Sequence, residues 1–351
     1  MRRLTLLFTA VMLISCSEDD STIINDEKAY FPGNGDAWQQ TSVRDMGWNE
    51  KAIAPLLDFL ETQNTKSFMV IADGKIVMEN YFRGHTRNSV WQWANADKTL
   101  TAAVAGIAQQ EGYINLDNSI TDYLGQGWTS APADKETAIT CRHLLSMTSG
   151  LDAGEGMLDT PQSLRYNNDA GTTWAYTDTD CLLTDVIATA TGKRWEDYFS
   201  EKIGRQIGMN GSWYKVNGQR MYKSDTRSMA RFGLLALNNG NWNGTQIIDR
   251  NYFTECTSSS QDINKSFGYL WWVNGQESHL LPKNDHLFPG SIVLSAPDDM
   301  YMGYGNMHQR IYVVPSLNIV VVRMGEAADE STTPFSGFDE QLWVRLNSLI
   351  Q

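Results

Sequence analysis

Asn95 and Lys98 stand three residues apart in Trp93-Ala94-Asn95-Ala96-Asp97-Lys98-Thr99-Leu100, at the head of a long apolar run that reads as a helix. Residues so spaced lie one helical turn apart on neighbouring faces. A Ser-x-x-Lys pair in this setting is a nucleophile with its base, because a desolvated Lys amine can take the serine proton. Here the Lys is present and the hydroxyl is absent. The amide nitrogen of Asn95 has its lone pair delocalised into the carbonyl and cannot attack a carbon. The pattern therefore has the layout of an acyl-transfer site and lacks its nucleophile.

The elements that must position such a site can be read along the chain. From Asn49 the run NEKAIAPLLDFLETQ has helical apolar spacing, and SFMVIADGKIVMENYF predicts two strands joined at Asp73-Gly74, a strong hairpin signal. After the helix headed by Lys98, residues 120–220 are helical and loop-rich. SMARFGLLALNNG predicts a helix closed at Gly240, and SFGYLWWV a strand. QRIYVVPSLNIVVVRMG predicts two apolar strands around Pro315-Ser316-Leu317-Asn318, and FDEQLWVRLNSLI a terminal amphipathic helix. Strands from both ends with helices between them predict an α/β (α+β) domain over 48–351, its antiparallel sheet flanked by helices, with a mostly helical region inserted at about 120–220.

Several stretches carry a family resemblance. Ile139-Thr140-Cys141-Arg142-His143-Leu144-Leu145-Ser146-Met147-Thr148-Ser149-Gly150-Leu151 resembles the ITxRHLLxxTSGL signature of the serine β-lactamase and penicillin-binding-protein-like hydrolases, the branch with class C β-lactamases, family VIII esterases and 6-aminohexanoate-dimer hydrolase. Gly112-Tyr113-Ile114-Asn115-Leu116-Asp117 resembles the turn that closes the family's nucleophile helix, and Gly171 to Tyr176 its approach to a Tyr-x-Asn motif.

The resemblance implies a serine β-lactamase/transpeptidase-like fold. It assigns the nucleophile position to Asn95, proton-sharing roles to Lys98 and Tyr176, and the third residue of the Tyr motif to Asp178, where the family has Asn. A Lys/His-x-Gly edge-strand motif is expected just before Gln309, where the sequence offers Asn306-Met307-His308. Trp93 and Gln309 are expected to border the cleft with them. Two chance matches, Ser212-Trp213-Tyr214-Lys215 and Tyr166-Asn167-Asn168, fall outside the family's order.

The net charge of -13 and the pI near 4.8 disfavour nucleic acid and anionic membrane surfaces as partners. Residues 1–15 read as an export signal: two arginines, a short apolar stretch, then a small residue before Cys16. Leu13-Ile14-Ser15-Cys16 resembles a bacterial lipobox, which makes Cys16 a lipidated N-terminus, residues 16–47 a tether and arm, and the protein an outer-membrane or cell-surface lipoprotein, with a periplasmic location as the alternative. Cys141, Cys181 and Cys256 leave open one disulfide plus a thiol, or three thiols. No metal or cofactor is expected.

Three functions remain open at this level. The first is a lipoprotein with lost acyl-enzyme chemistry and a cleft for a small-molecule, peptide or glycan ligand. The second is an active esterase, peptidase or β-lactamase using another nucleophile, and the third is a structural lipoprotein with a vestigial cleft.

Overall fold

The computed structural model describes residues 29–35, 37–152, 158, 160–328, 335 and 337–351. The export segment, Cys16 and most of the tether lie outside them. Helix α1 (Ile53–Thr62) leads into strands β1 (Thr65–Ala72) and β2 (Lys75–Tyr81), joined as expected at Asp73-Gly74, both with left-handed φ of 51° and 77°. Trp38 in the arm donates to Gly74 O at 2.7 Å, and Gln40 pairs with Ile76, so the arm covers the free edge of β2.

Helix α2 (Lys98–Gln110) runs inward from the 93–97 turn, and helix α3 (Thr226–Leu237) follows the inserted region. The sheet is then completed by β3 (Trp272–Val273), β4 (Tyr301–Gly305), β5 (Gln309–Val314) and β6 (Ile319–Gly325), before helix α4 (Gly337–Ile350). Its order is β3-β4-β5-β6-β1-β2, antiparallel throughout, with β1 drawn from one end of the chain and β6 from the other. Of SFGYLWWV only Trp272–Val273 is strand.

Every residue of β5 and β6 is buried, because helices cover both sheet faces, which is why these strands read as unbroken apolar runs instead of alternating ones. On one face α3 seats so closely that a Cβ on Gly233 would lie 2.4 Å from Val320. On the other, Tyr312 meets Trp343 of α4 edge-on, and Phe59 of α1 stacks on Phe338.

That second face also buries an ion pair, Arg310 with Asp339, at 2.7 and 2.9 Å, with both residues at most 1% exposed. Tyr312 donates to the same carboxylate. Cys141, Cys181 and Cys256 are free thiols, which decides between the open alternatives.

Candidate functional site

Residue 95 is held by a turn pinned on three sides. Ala94–Asp97 forms one 3-10 turn, entered by Ala94 at φ 47°. Trp93 donates its indole N–H to Ser224 Oγ at 2.8 Å, and the buried Asp97 accepts the backbone N–H of Tyr222 at 2.7 Å. Burial pushes the Asp97 carboxyl up to about 8, against the opposing pull of the Tyr222 N–H and Lys98. The third side is β4, where a Cβ on Gly305 would sit 2.3 Å from Trp93 O and 3.1 Å from Ala96 N.

The long signature at 139–151 serves as scaffolding. Thr140 and His143 form a reciprocal capping box, and Arg142 clamps Asp117 at 2.6 and 3.2 Å. Its exit then guides the Tyr176 segment, since Gly171 N donates to Thr148 O at 2.8 Å and Ala175 N to Met147 O at 2.9 Å. This threading brings Tyr176, Asp178 and Asp180 over the start of α2.

The electrostatics of the site are set there. Lys98 Nζ bonds Asp178 Oδ1 at 3.0 Å, Asp180 Oδ1, and Thr177 O at 3.4 Å, so all three ammonium protons have acceptors. Its side chain is 7% exposed, Asp180's is 3% and Asp178's 41%. Burial opposes the Lys98 charge, but Asp180 and Asp178 outweigh it and hold the amine protonated far above its ordinary value. Lys98 in turn holds the Asp178 carboxyl below the usual range. Tyr176, whose ring lies 5.7 Å from Lys98 Nζ, is pushed up by burial and stays a neutral phenol.

Above this floor opens a cleft of about 700 Å³, lined by Asn95, Tyr176, Asp178, Tyr304, Asn306 and Met307, with His308 at its margin. Lys283 and Asn284, at the tip of the Ser278–Leu281/Asn284–Pro289 hairpin, overhang it. A second lobe of about 710 Å³ continues past Asp178 to Trp174, Asn217 and Gln219. Beneath Asn95 a small cavity of about 20 Å³, bordered by Asp97, Lys98 and Asp180, has room for about one water.

The structure brings Asn95, Lys98, Tyr176, Asp178, Asn306, Met307 and His308 together, and it corrects the sequence reading at three points. Trp93 is fully buried against Tyr222 and Phe232 and does not reach the cleft. Gln309 is fully buried too, its amide spent on Asn306 O, Met307 O and Gly325 O. The strand beside residue 95 is β4, ending at Tyr304-Gly305, while 306–308 is a turn.

That turn holds Met307 and His308 at φ 57° and 59°, which side chains other than Gly adopt at a cost. Gln309 and Arg323 hold it there, Arg323 donating to Met307 O at 3.0 Å and His308 O at 2.9 Å. Neither residue type advertises a turn, which is why the register slipped. His308 Nδ1 accepts Ala328 N at 3.1 Å.

Asp180, Tyr304 and the hairpin tip were not foreseen. Asp180 was visible as the second Asp in Tyr176-Thr-Asp-Thr-Asp; the hairpin carried no chemical signature. Of the chance matches, Ser212 and Lys215 lie three apart on strand Gly211–Val216, so they point to opposite faces, and the Tyr166 hydroxyl is bound to Asp169.

Among known proteins, the Beta-lactamase family model matches residues 60–331. An uncharacterised protein of Alkalihalophilus pseudofirmus is 27% identical over 297 residues, 73% of this chain and 82% of its own length. A structure assigned as a 6-aminohexanoate-dimer hydrolase of Bacillus anthracis superposes with a TM-score of 0.70 at 21% identity, covering 92% of this chain and 90% of that one. A penicillin-binding protein of Bacillus halodurans gives 0.61 at 13% identity, covering 83% and 99%.

Proposed function

This chain belongs to the Beta-lactamase family of serine hydrolases, and from that premise we propose that it is an exported lipoprotein that binds a ligand in the family's cleft without forming an acyl-enzyme. The observation that carries the reading is the state of the Ser-x-x-Lys pair. Asn95 supplies no nucleophile, and the Lys98 amine that would serve as base is held as an ammonium by three acceptors.

Loss of the nucleophile alone would leave a vacant base; here the base is neutralised as well, which favours a natural loss of chemistry over a single change. No second nucleophile presents itself among the described residues. Thr177 is the one hydroxyl-bearing residue in the lining of both lobes that is neither phenol nor amide, and its Oγ1 pairs with Thr179 Oγ1 at 2.8 Å. Cys181 borders only the small cavity, and burial pushes its thiol up, away from the reactive thiolate.

Intact-mass spectrometry after incubation with a penicillin and with a fluorophosphonate tests the reading. No covalent adduct is expected, and a stoichiometric adduct at any residue would refute it.

The lipoprotein half of the proposal rests on Leu13-Ile14-Ser15-Cys16, since the apolar stretch before it is too short to serve as a stable span. Labelling cells with an alkyne fatty acid should tag the wild type and miss Cys16→Ala. Equal labelling of the two would remove the lipid anchor from the account.

A further inference from the structure

Resting on the reading of a non-hydrolytic binding cleft, we infer that its occupant is an uncharged oligosaccharide, recognised by side-chain amides and aromatic rings across both lobes. The charge balance gives the first argument. A cleft for a carboxylate or acyl anion needs an available cation, and Lys98 is consumed by Asp178 and Asp180. In the second lobe Arg165 is paired with Asp152 at 2.9 Å. The charges left at the rim, Lys283 and Asp285, are of opposite sign and two residues apart on the hairpin. Three cations (Lys98, Arg165, Lys283) thus face four carboxylates (Asp152, Asp178, Asp180, Asp285), a net charge of -1 that gives an anionic ligand no attraction.

What remains free is hydrogen-bonding capacity of mixed sign. Among the described residues the side-chain amides of Asn95, Asn217 and Asn306 have no hydrogen-bond partner, and Asn284 has its NH₂ free while its Oδ1 accepts His286 N at 2.9 Å. An amide offers a donor and an acceptor side by side, which matches a hydroxyl that must both give and take. Tyr176 and Tyr304, both partly exposed on the cleft wall, add aromatic edges beside these amides, their faces being engaged by Trp272 and Lys98 and by Arg310 respectively.

The backbone argues against the main rival, an extended peptide added to a sheet edge. Beyond Gly305 the chain leaves the strand, and the carbonyls of Asn306, Met307 and His308 are already taken by Gln309 and Arg323. A peptide would find few main-chain partners on that wall, so recognition falls to side chains. The two lobes share Tyr176, Asp178, Leu281, Lys283 and Asn284, which makes them one continuous groove suited to a chain longer than a single ring.

Isothermal titration of the full chain with neutral oligosaccharides of hexose and N-acetylhexosamine units tests this, with uronate oligosaccharides and an N-acetylated dipeptide as comparison probes. A neutral oligosaccharide is expected to bind with a salt-insensitive Kd, and Asn95→Ala and Asn217→Ala should each weaken it about tenfold. Asn217 is exposed at a hairpin tip at φ 49°, a left-handed conformation in which Ala is strained, so the melting temperature and the circular dichroism of the variant are checked alongside its binding. Asn95-dependent binding of the dipeptide with no neutral oligosaccharide bound would overturn the carbohydrate inference and leave the binding-cleft reading standing. Salt-sensitive preference for uronates would overturn it too, because it would show Lys283 at the rim outweighing the four carboxylates around it. Silence from every probe would overturn both.

Discussion

Asn95→Ser alone will restore little ester hydrolysis, and what it restores will be confined to alkaline pH. The new hydroxyl would stand one turn from Lys98, yet the amine is already bound to Asp178, Asp180 and Thr177 O. Burial works against the ammonium, but the two carboxylates override it and set its value well above that of free Lys. An amine becomes a base only as pH rises through its folded pKa, so at neutral pH the fraction able to accept the serine proton is very small.

Combining Asn95→Ser with Asp178→Asn and Asp180→Asn removes both counter-charges and leaves burial to lower the Lys98 pKa. The triple variant should then exceed the single one by roughly a hundredfold or more at neutral pH. Nitrophenyl-ester hydrolysis across pH measures this, with melting temperature followed in parallel to confirm folding. Equal neutral-pH rates for the two variants would show that Lys98 is not the element holding the chemistry down.

The largest effect on stability is expected at Asp339. Asp339→Asn leaves Arg310 charged, fully buried and without its bidentate partner, and deprives Tyr312 of its carboxylate acceptor. Breaking such a pair costs about 3–5 kcal/mol, which for a chain of this size lowers Tm by roughly 5 °C. Burial would raise the Asp339 pKa, but Arg310 and Tyr312 outweigh it and hold it low. Its contribution is therefore present above the ordinary carboxylate range and lost as pH falls through the depressed folded value.

Calorimetry of wild type and variant at neutral and acidic pH should show the gap closing on acidification. A constant gap would place the stabilisation elsewhere. The effect should reach the cleft as well, since Arg310 also donates to Gly305 O at 2.9 Å and lies 4.1 Å from the centre of the Tyr304 ring.

Much of this architecture was readable from residue order because it rests on short-range rules. Asp73-Gly74 dictates a tight hairpin whatever surrounds it, and the apolar runs on either side of Pro315-Ser316-Leu317-Asn318 mark two strands. The absence of a nucleophile at 95 is likewise a property of one residue type. Local chemistry fixes such features before any packing occurs.

The state of the site was decided elsewhere. Nothing local says that Asp180 will reach Lys98 across 82 positions, that Trp93 and Gln309 will turn inward, or that Met307 and His308 will take left-handed turns enforced by Arg323. Each of these depends on which distant group a polar atom meets once water is excluded, and a buried charge or carbonyl takes whatever partner the fold delivers. Sequence therefore determined the frame and the missing hydroxyl, while tertiary structure determined that the remaining amine is a locked ammonium beneath a cleft of amides.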